Sequence, residues 1–109
     1  MDRREQFRRW LQNVRIKKTG RPIPEKMIDG YLRNIHRVSD AMYEAGVISK
    51  RLYSMRTIEE LSTAVRAIEK DSMYRTMNVK HENMCQKALQ YYLSFTEEVC
   101  QKAELTVEE

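Results

Sequence analysis

Turn-forming residues are scarce in this sequence, with three Gly and two Pro among 109 residues. A strand-rich fold reverses direction often and needs many such positions, so the scarcity points to a few long helices. The length is that of one domain and allows a real, though not deep, core. With 41% hydrophobic and 33% charged residues, the chain is too apolar for a disordered segment and too charged for a membrane protein. No apolar run approaches the roughly 20 residues of a membrane-spanning helix. Met1 to Arg9 is charged and lacks the apolar stretch of a signal peptide.

Apolar spacing places the helices. A first helix is predicted over Asp2 to Ile16, where Phe7, Trp10, Leu11 and Val14 form one stripe. Lys17 to Pro22 breaks that pattern and puts Lys17, Lys18 and Arg21 in a loop. A second helix is expected from Pro24, because proline suits the first turn and Glu25 suits the positive end of the helix dipole. Met27, Ile28, Tyr31, Leu32, Ile35, Val38 and Met42 form its inward face, and Gly46 is its stop.

Val47 to Arg56 reads as a connector in which Ser49 caps a short turn over Lys50 to Tyr53. Thr57 and Glu60 form a capping box in front of a helix to Lys70, with Ile58, Leu61, Val65 and Ile68 inward. Asp71 to Asn78 reads as a second connector with one helical turn around Met73 and Tyr74. The last helix is expected from Val79 to Ala103. One face carries Met84, Cys85, Ala88, Leu89, Tyr92, Phe95 and Val99, and the opposite face carries Lys80, Asn83, Lys87, Gln90 and Ser94.

The expectation is an all-α, single-domain bundle of four to five helices over residues 1–103, followed by an acidic, frayed tail over 104–109. Its expected core contains Phe7, Trp10, Tyr31, Leu32, Ile35, Leu61, Val65, Leu89, Tyr92 and Phe95.

The formal net charge of +4 hides an asymmetry. Residues 1–56 hold 14 Lys and Arg against 6 Asp and Glu, a net +8, whereas residues 57–109 carry a net −4. A basic half suits a polyanion such as nucleic acid, or an acidic protein face. Lys17, Lys18, Arg21, Lys26, Arg33 and Arg37 run from the loop along one side of the second helix. Local ion pairs would weaken that patch: Asp29 stands four residues before Arg33, and Asp40 lies near Arg37.

The sequence offers little to catalysis or metal binding. It has no P-loop, no G-x-S-x-G and no H-E-x-x-H. Glu59–Glu60 and Glu97–Glu98 are adjacent pairs, which point about 100° apart on a helix and cannot share a substrate. His81 and Cys85 have the spacing of two metal ligands, but a structural zinc site wants four and no second close pair exists. Cys85 and Cys100 fall 15 residues apart on one predicted helix. That spacing is about 22 Å along the axis, well beyond the roughly 7 Å a disulfide spans. Two reduced thiols and no export signal suggest a cytoplasmic protein. The chain is expected to be no enzyme and to need no metal, cofactor, membrane or small-molecule substrate.

The order of segments resembles a known family. Phe7, Trp10 and Leu11 open an aromatic first helix, and a basic loop leads to I-x-x-Y-L-x-x-I over Ile28 to Ile35. G-V-I-S-x-x-L-Y follows over Gly46 to Tyr53, and H-x-x-M-x-x-A-L-x-Y-Y-L-x-F runs from His81 to Phe95. This pattern is similar to the SAM-like, helical core-binding domain at the N-terminus of phage-integrase-type tyrosine recombinases. It is closer still to modules preceding the nuclease or GTPase parts of some restriction endonucleases. The likeness covers Arg4 to about Val99 and lies mainly in core positions.

It implies a bundle gripping double-stranded DNA with basic helix faces and loops, either as part of a longer protein or as a free-standing relative. It also raises a second reading of Lys80, Asn83, Lys87 and Gln90. A solvated polar face accounts for them. Asn and Gln can nevertheless pair with adenine, and Lys with guanine, from a helix in the major groove. The other function class weighed is a small phage-type inhibitor or adaptor that docks on a protein partner.

Overall fold

The computed structural model describes residues 2–99, with the helical backbone continuing to Glu108. Five helices follow one another: α1 (Arg3–Asn13), α2 (Glu25–Glu44), α3 (Ile58–Lys70), α4 (Ser72–Lys80) and α5 (Met84–Glu108). A single 3₁₀ turn, Leu52–Ser54, lies between α2 and α3. No strand forms among the described residues, and an isolated bridge between Arg15 and Pro22 is the one extended pairing. The all-α bundle predicted from turn scarcity is therefore the fold. Its long elements α2 and α5 share the largest helix–helix interface, and α1, α3 and α4 pack around them.

Capping explains most boundaries. The Asp2 carboxylate accepts the Glu5 N–H at 2.8 Å and starts α1. The predicted extension of α1 to Ile16 does not occur. Val14 is extended at ψ 140°, and the Ile16 N–H instead pairs with the Arg21 carbonyl at 2.8 Å to close the basic loop. α2 ends in a Schellman motif. Gly46 adopts φ +76°, the Val47 N–H reaches the Met42 carbonyl at 3.0 Å, and the Gly46 N–H reaches Tyr43 at 3.1 Å.

The turn after Gly46 is held differently from the expected Ser49 cap. No side chain caps it, and the buried Ser39 hydroxyl on α2 accepts the Leu52 N–H at 2.9 Å. At α3, Thr57 accepts the Glu60 N–H at 3.1 Å as predicted, while the Glu60 carboxylate reaches back one residue further, to the Arg56 N–H at 3.1 Å.

The second connector is a correction. Residues 72–80 form a nine-residue helix, α4, where only one turn was expected. Asp71 caps it by accepting the Tyr74 N–H at 2.9 Å. The predicted continuous helix from Val79 is in turn broken at Glu82 and Asn83, whose φ angles are +56° and +65°. Asn78 organises this break. Its carbonyl accepts the Asn83 N–H at 2.8 Å, and its side-chain oxygen accepts the Gln86 N–H at 3.0 Å, satisfying a free donor at the start of α5.

Nine of the ten expected core residues are buried: Phe7, Tyr31, Leu32, Ile35, Leu61, Val65, Leu89, Tyr92 and Phe95. Trp10 is the exception. It packs against the core partly exposed, because its ring nitrogen donates to the Glu98 carboxylate at 2.6 Å on the surface. Cys85 is a free, buried thiol. The backbone of α5 runs on beyond the expected end at Ala103, while the side chains from Cys100 onward and Glu109 lie outside the described residues, as does the expectation of a reduced Cys100.

Candidate functional site

The geometry of α2 starts from its anchor to α1. Arg8 on α1 bonds Asp29 at 2.6 Å and approaches Glu25 at 3.5 Å. The hydrogen bond to Asp29, more than any other influence, holds the Arg8 guanidinium firmly protonated. This contact also reverses a sequence expectation, since Asp29 turns to Arg8 across the helix pair and not to Arg33 four residues on. Asp40 likewise does not serve Arg37. It accepts Arg51 Nε at 2.9 Å and approaches His36 at 3.1 Å. The Arg51 hydrogen bond, followed by the charge of His36, keeps the Asp40 carboxyl below the ordinary carboxylate range.

With both carboxylates engaged elsewhere, Arg33 and Arg37 have no ion-pair partner among the described residues. Arg37 is steered instead by a neutral group. Its guanidinium donates to the Asn34 side-chain oxygen at 2.9 Å. That oxygen also receives the Cys85 thiol at 3.4 Å, and the Asn34 amide nitrogen donates to the Gly30 carbonyl at 2.8 Å. Burial pushes the Cys85 thiol above its usual pKa, so it stays protonated as this donor.

Two adjoining depressions on the α2–α5 side collect seven of the ten sequence-predicted residues. Lys26, Arg33, Arg37 and Lys80 line one of about 430 Å³, together with His81 and Glu82. Lys17, Lys87 and Gln90 line a cleft of about 480 Å³ whose wall includes Ile23, Tyr31 and Tyr91. Met27 contributes to both, so the two adjoin at that side chain. Arg33 and Arg37 also border a third depression with Arg4 and His36.

The remaining three predicted residues line none of these depressions. Lys18 and Arg21 are exposed on the loop. Asn83 sits in the left-handed turn, with its side-chain oxygen 3.3 Å from the Asn78 amide. The expected row Lys80, Asn83, Lys87, Gln90 is thus not one helix face. Lys80 closes α4, Asn83 is in the turn, and only Lys87 and Gln90, with Ser94 below them, belong to α5. The helix break moves Lys80 towards the α2 arginines and leaves Lys87 and Gln90 with the basic loop.

Sequence reasoning missed Arg4, His36, His81 and Tyr31 as members of this surface, whereas the place of Tyr91 at the edge of the last helix's apolar face leaves base stacking open in the sequence itself. Its spacing from Cys85 offers His81 as a metal ligand or, more simply, as a histidine at a helix start. Among the described residues no three metal-type side chains converge. The chemistry at His81 is set by its neighbours, since partial desolvation, then Arg37 and Lys80, lower its pKa below the ordinary histidine value. Arg4 gave no signal, because its approach to Arg33 and Arg37 depends on how α1 crosses α2, whereas His36 stands three residues from Arg33 on the same helix and was within reach of spacing.

No helix of the described residues is long and apolar enough to cross a membrane. No family model, curated protein or solved structure matches the chain.

Proposed function

We propose that the chain is a non-catalytic DNA-binding module that grips duplex DNA through the cationic surface of the basic loop, α2 and the α4–α5 turn. The observation that carries this reading is the placement of charge. Lys26, Arg33, Arg37 and Lys80 border one depression, while the acidic residues nearest in sequence to the arginines are held by Arg8 and Arg51. Lys26 and Arg37 stand 11 residues apart on one helix, about 16 Å along the axis. Phosphate contacts position a protein on DNA without reading its sequence. The setting we assign, the recognition part of a mobile-element or restriction-type system, rests on the resemblance in Gly46–Tyr53 and His81–Phe95.

The test is fluorescence anisotropy with a labelled duplex over a salt series. Each phosphate contact on B-DNA contributes about 0.9 to the slope of log K against log salt. The double substitution Arg33→Ala and Arg37→Ala is expected to weaken binding to all sequences alike and to lower the slope by about 1.8. Arg66→Ala, on the exposed side of α3, loses a charge away from the surface and is expected to leave the slope unchanged. No duplex binding by the wild type at low salt, or binding unaltered in the double variant, defeats the reading in favour of a protein partner.

A further inference from the structure

The cleft beside the cationic depression has features that phosphate contacts alone do not use. The Tyr31 and Tyr91 rings lie 5.1 Å apart with a tilt of 49°, forming an aromatic wall. Tyr31 is nearly fully buried, whereas Tyr91 is only partly so and presents ring surface to the cleft. Lys17 and Lys87 stand at the same cleft, from the loop and from α5, with no ion pair among the described residues. The exposed Gln90 carries an amide donor and acceptor, and neither is engaged within the described residues.

Resting on the DNA-binding reading, we propose that this cleft receives one unpaired nucleobase of a DNA strand, with its flanking phosphate on Lys17 and Lys87. A paired base offers the cleft neither its ring face nor its Watson–Crick edge, because stacking and pairing occupy both. An unpaired base frees both at little cost. Its ring suits the exposed face of Tyr91, since any base can stack on an aromatic side chain. Its edge suits the Gln90 amide, which can offer a donor and an acceptor together. The volume of about 480 Å³ is in the range of small-ligand sites. Met27 borders both depressions, so the cleft adjoins the one lined by Lys26 and Arg33.

The test compares three labelled duplexes of one sequence: fully paired, carrying a single bulged adenine, and carrying an abasic site at the bulge. The bulged adenine is expected to bind about 5- to 100-fold tighter than the paired duplex. The abasic site, which keeps the bend and loses the base, is expected to return to the paired affinity. Tyr91→Ala should abolish the gain while leaving paired-duplex affinity intact, and Tyr91→Phe should keep it.

Tyr91 also packs against Trp10 with ring centroids 6.4 Å apart. The exposed variant Gln90→Ala is therefore the control free of folding effects, and it should reduce the gain. Trp10 is the sole tryptophan, so its fluorescence should change on binding the bulged duplex and not the paired one. Equal affinity for paired and bulged duplexes in the wild type, a gain that survives at the abasic site, or a gain retained in both Tyr91→Ala and Gln90→Ala overturns this proposal alone. Failure to bind any duplex removes it together with the DNA-binding reading.

Discussion

Replacing Phe7 and Trp10 by alanine, one at a time, separates two residues that helical spacing places on a single stripe. Phe7 is fully enclosed at 0% exposure. Its ring lies 5.0 Å from Tyr92, edge to face, and 5.4 Å from Phe95. Removing such a ring leaves a cavity that close-packed neighbours fill poorly, and the cost is about 3–5 kcal/mol. Trp10 rests on the outside of the same cluster, 5.9 Å from Phe95, with its ring nitrogen on the exposed Glu98. Water can enter the space it vacates, so no closed cavity forms. Losing about two thirds of the roughly 150–250 Å² that a large ring can bury, at about 25 cal/mol per Å², amounts to about 2.5–4 kcal/mol with no added cavity cost.

In a domain this small each kcal/mol moves Tm by about 4–8 °C. Phe7→Ala should therefore lower Tm by at least about 12 °C, and Trp10→Ala by less, although Trp is the larger ring. Urea and thermal unfolding followed by far-UV circular dichroism suit both variants, since Trp10→Ala removes the only tryptophan. Equal losses in the two variants, or a larger one for Trp10→Ala, would refute the reasoning that enclosure and not ring size sets the cost.

Two pH dependences follow from the surface ion pairs and from the cationic depression. Asp40, through Arg51, and Glu60, through Lys50 and the Arg56 N–H, are held below their ordinary pKa in the folded state. Their contribution is thus present above about pH 4 and lost as pH falls through the lowered values. The urea midpoint should drop on acidification below about pH 4, and the drop should be shallower in the Arg51→Ala, Lys50→Ala double variant. His81 behaves in the opposite sense during binding. Partial desolvation, then Arg37 and Lys80, lower its pKa in the free protein, and Lys26 and Arg33 line the same depression with one opposing carboxylate, Glu82. A phosphate backbone placed there raises that pKa, so binding takes up a proton. Duplex affinity should rise as pH falls from about 7.5 to 6, and His81→Ala should remove that part of the rise.

Fold class was legible because it depends on coarse properties. Few glycines and prolines, and apolar residues at helical spacing, are enough to specify helices and their inward faces. Phe7, Tyr31, Leu32, Leu89 and Phe95 are buried where that spacing puts them. The boundary between α4 and α5 was not legible. Asn83 tolerates the left-handed conformation and is a weak stop signal, but Glu82 beside it is not, and for Glu a positive φ is unfavourable in isolation. The break exists because Asn78, several residues earlier, offers its carbonyl and its side chain to the two sides of the turn. A tertiary preference for packing α4 separately against α3 and α5 then overrides a continuous helical pattern.

The candidate surface shows the same division, with a consequence for how charge is read. Sequence spacing paired Asp29 with Arg33 and Asp40 with Arg37, and so expected a partly neutralised patch. Both carboxylates instead choose arginines distant in sequence, Arg8 at 2.6 Å and Arg51 at 2.9 Å. The distant partners meet the carboxylates because α1 and the connector after Gly46 lie against α2. Arg33 and Arg37 instead face Lys80 and His81 across a depression. An i, i+4 ion pair on an exposed helix is worth only a few tenths of a kcal/mol, too little to compete with a contact that packing brings into line. Like charges gathered at one place are unfavourable for the isolated domain, and so lower its stability until a counter-charge arrives. A polyanion relieves that repulsion, so the loss of Arg33 and Arg37 should weaken DNA binding while leaving the fold intact or more stable.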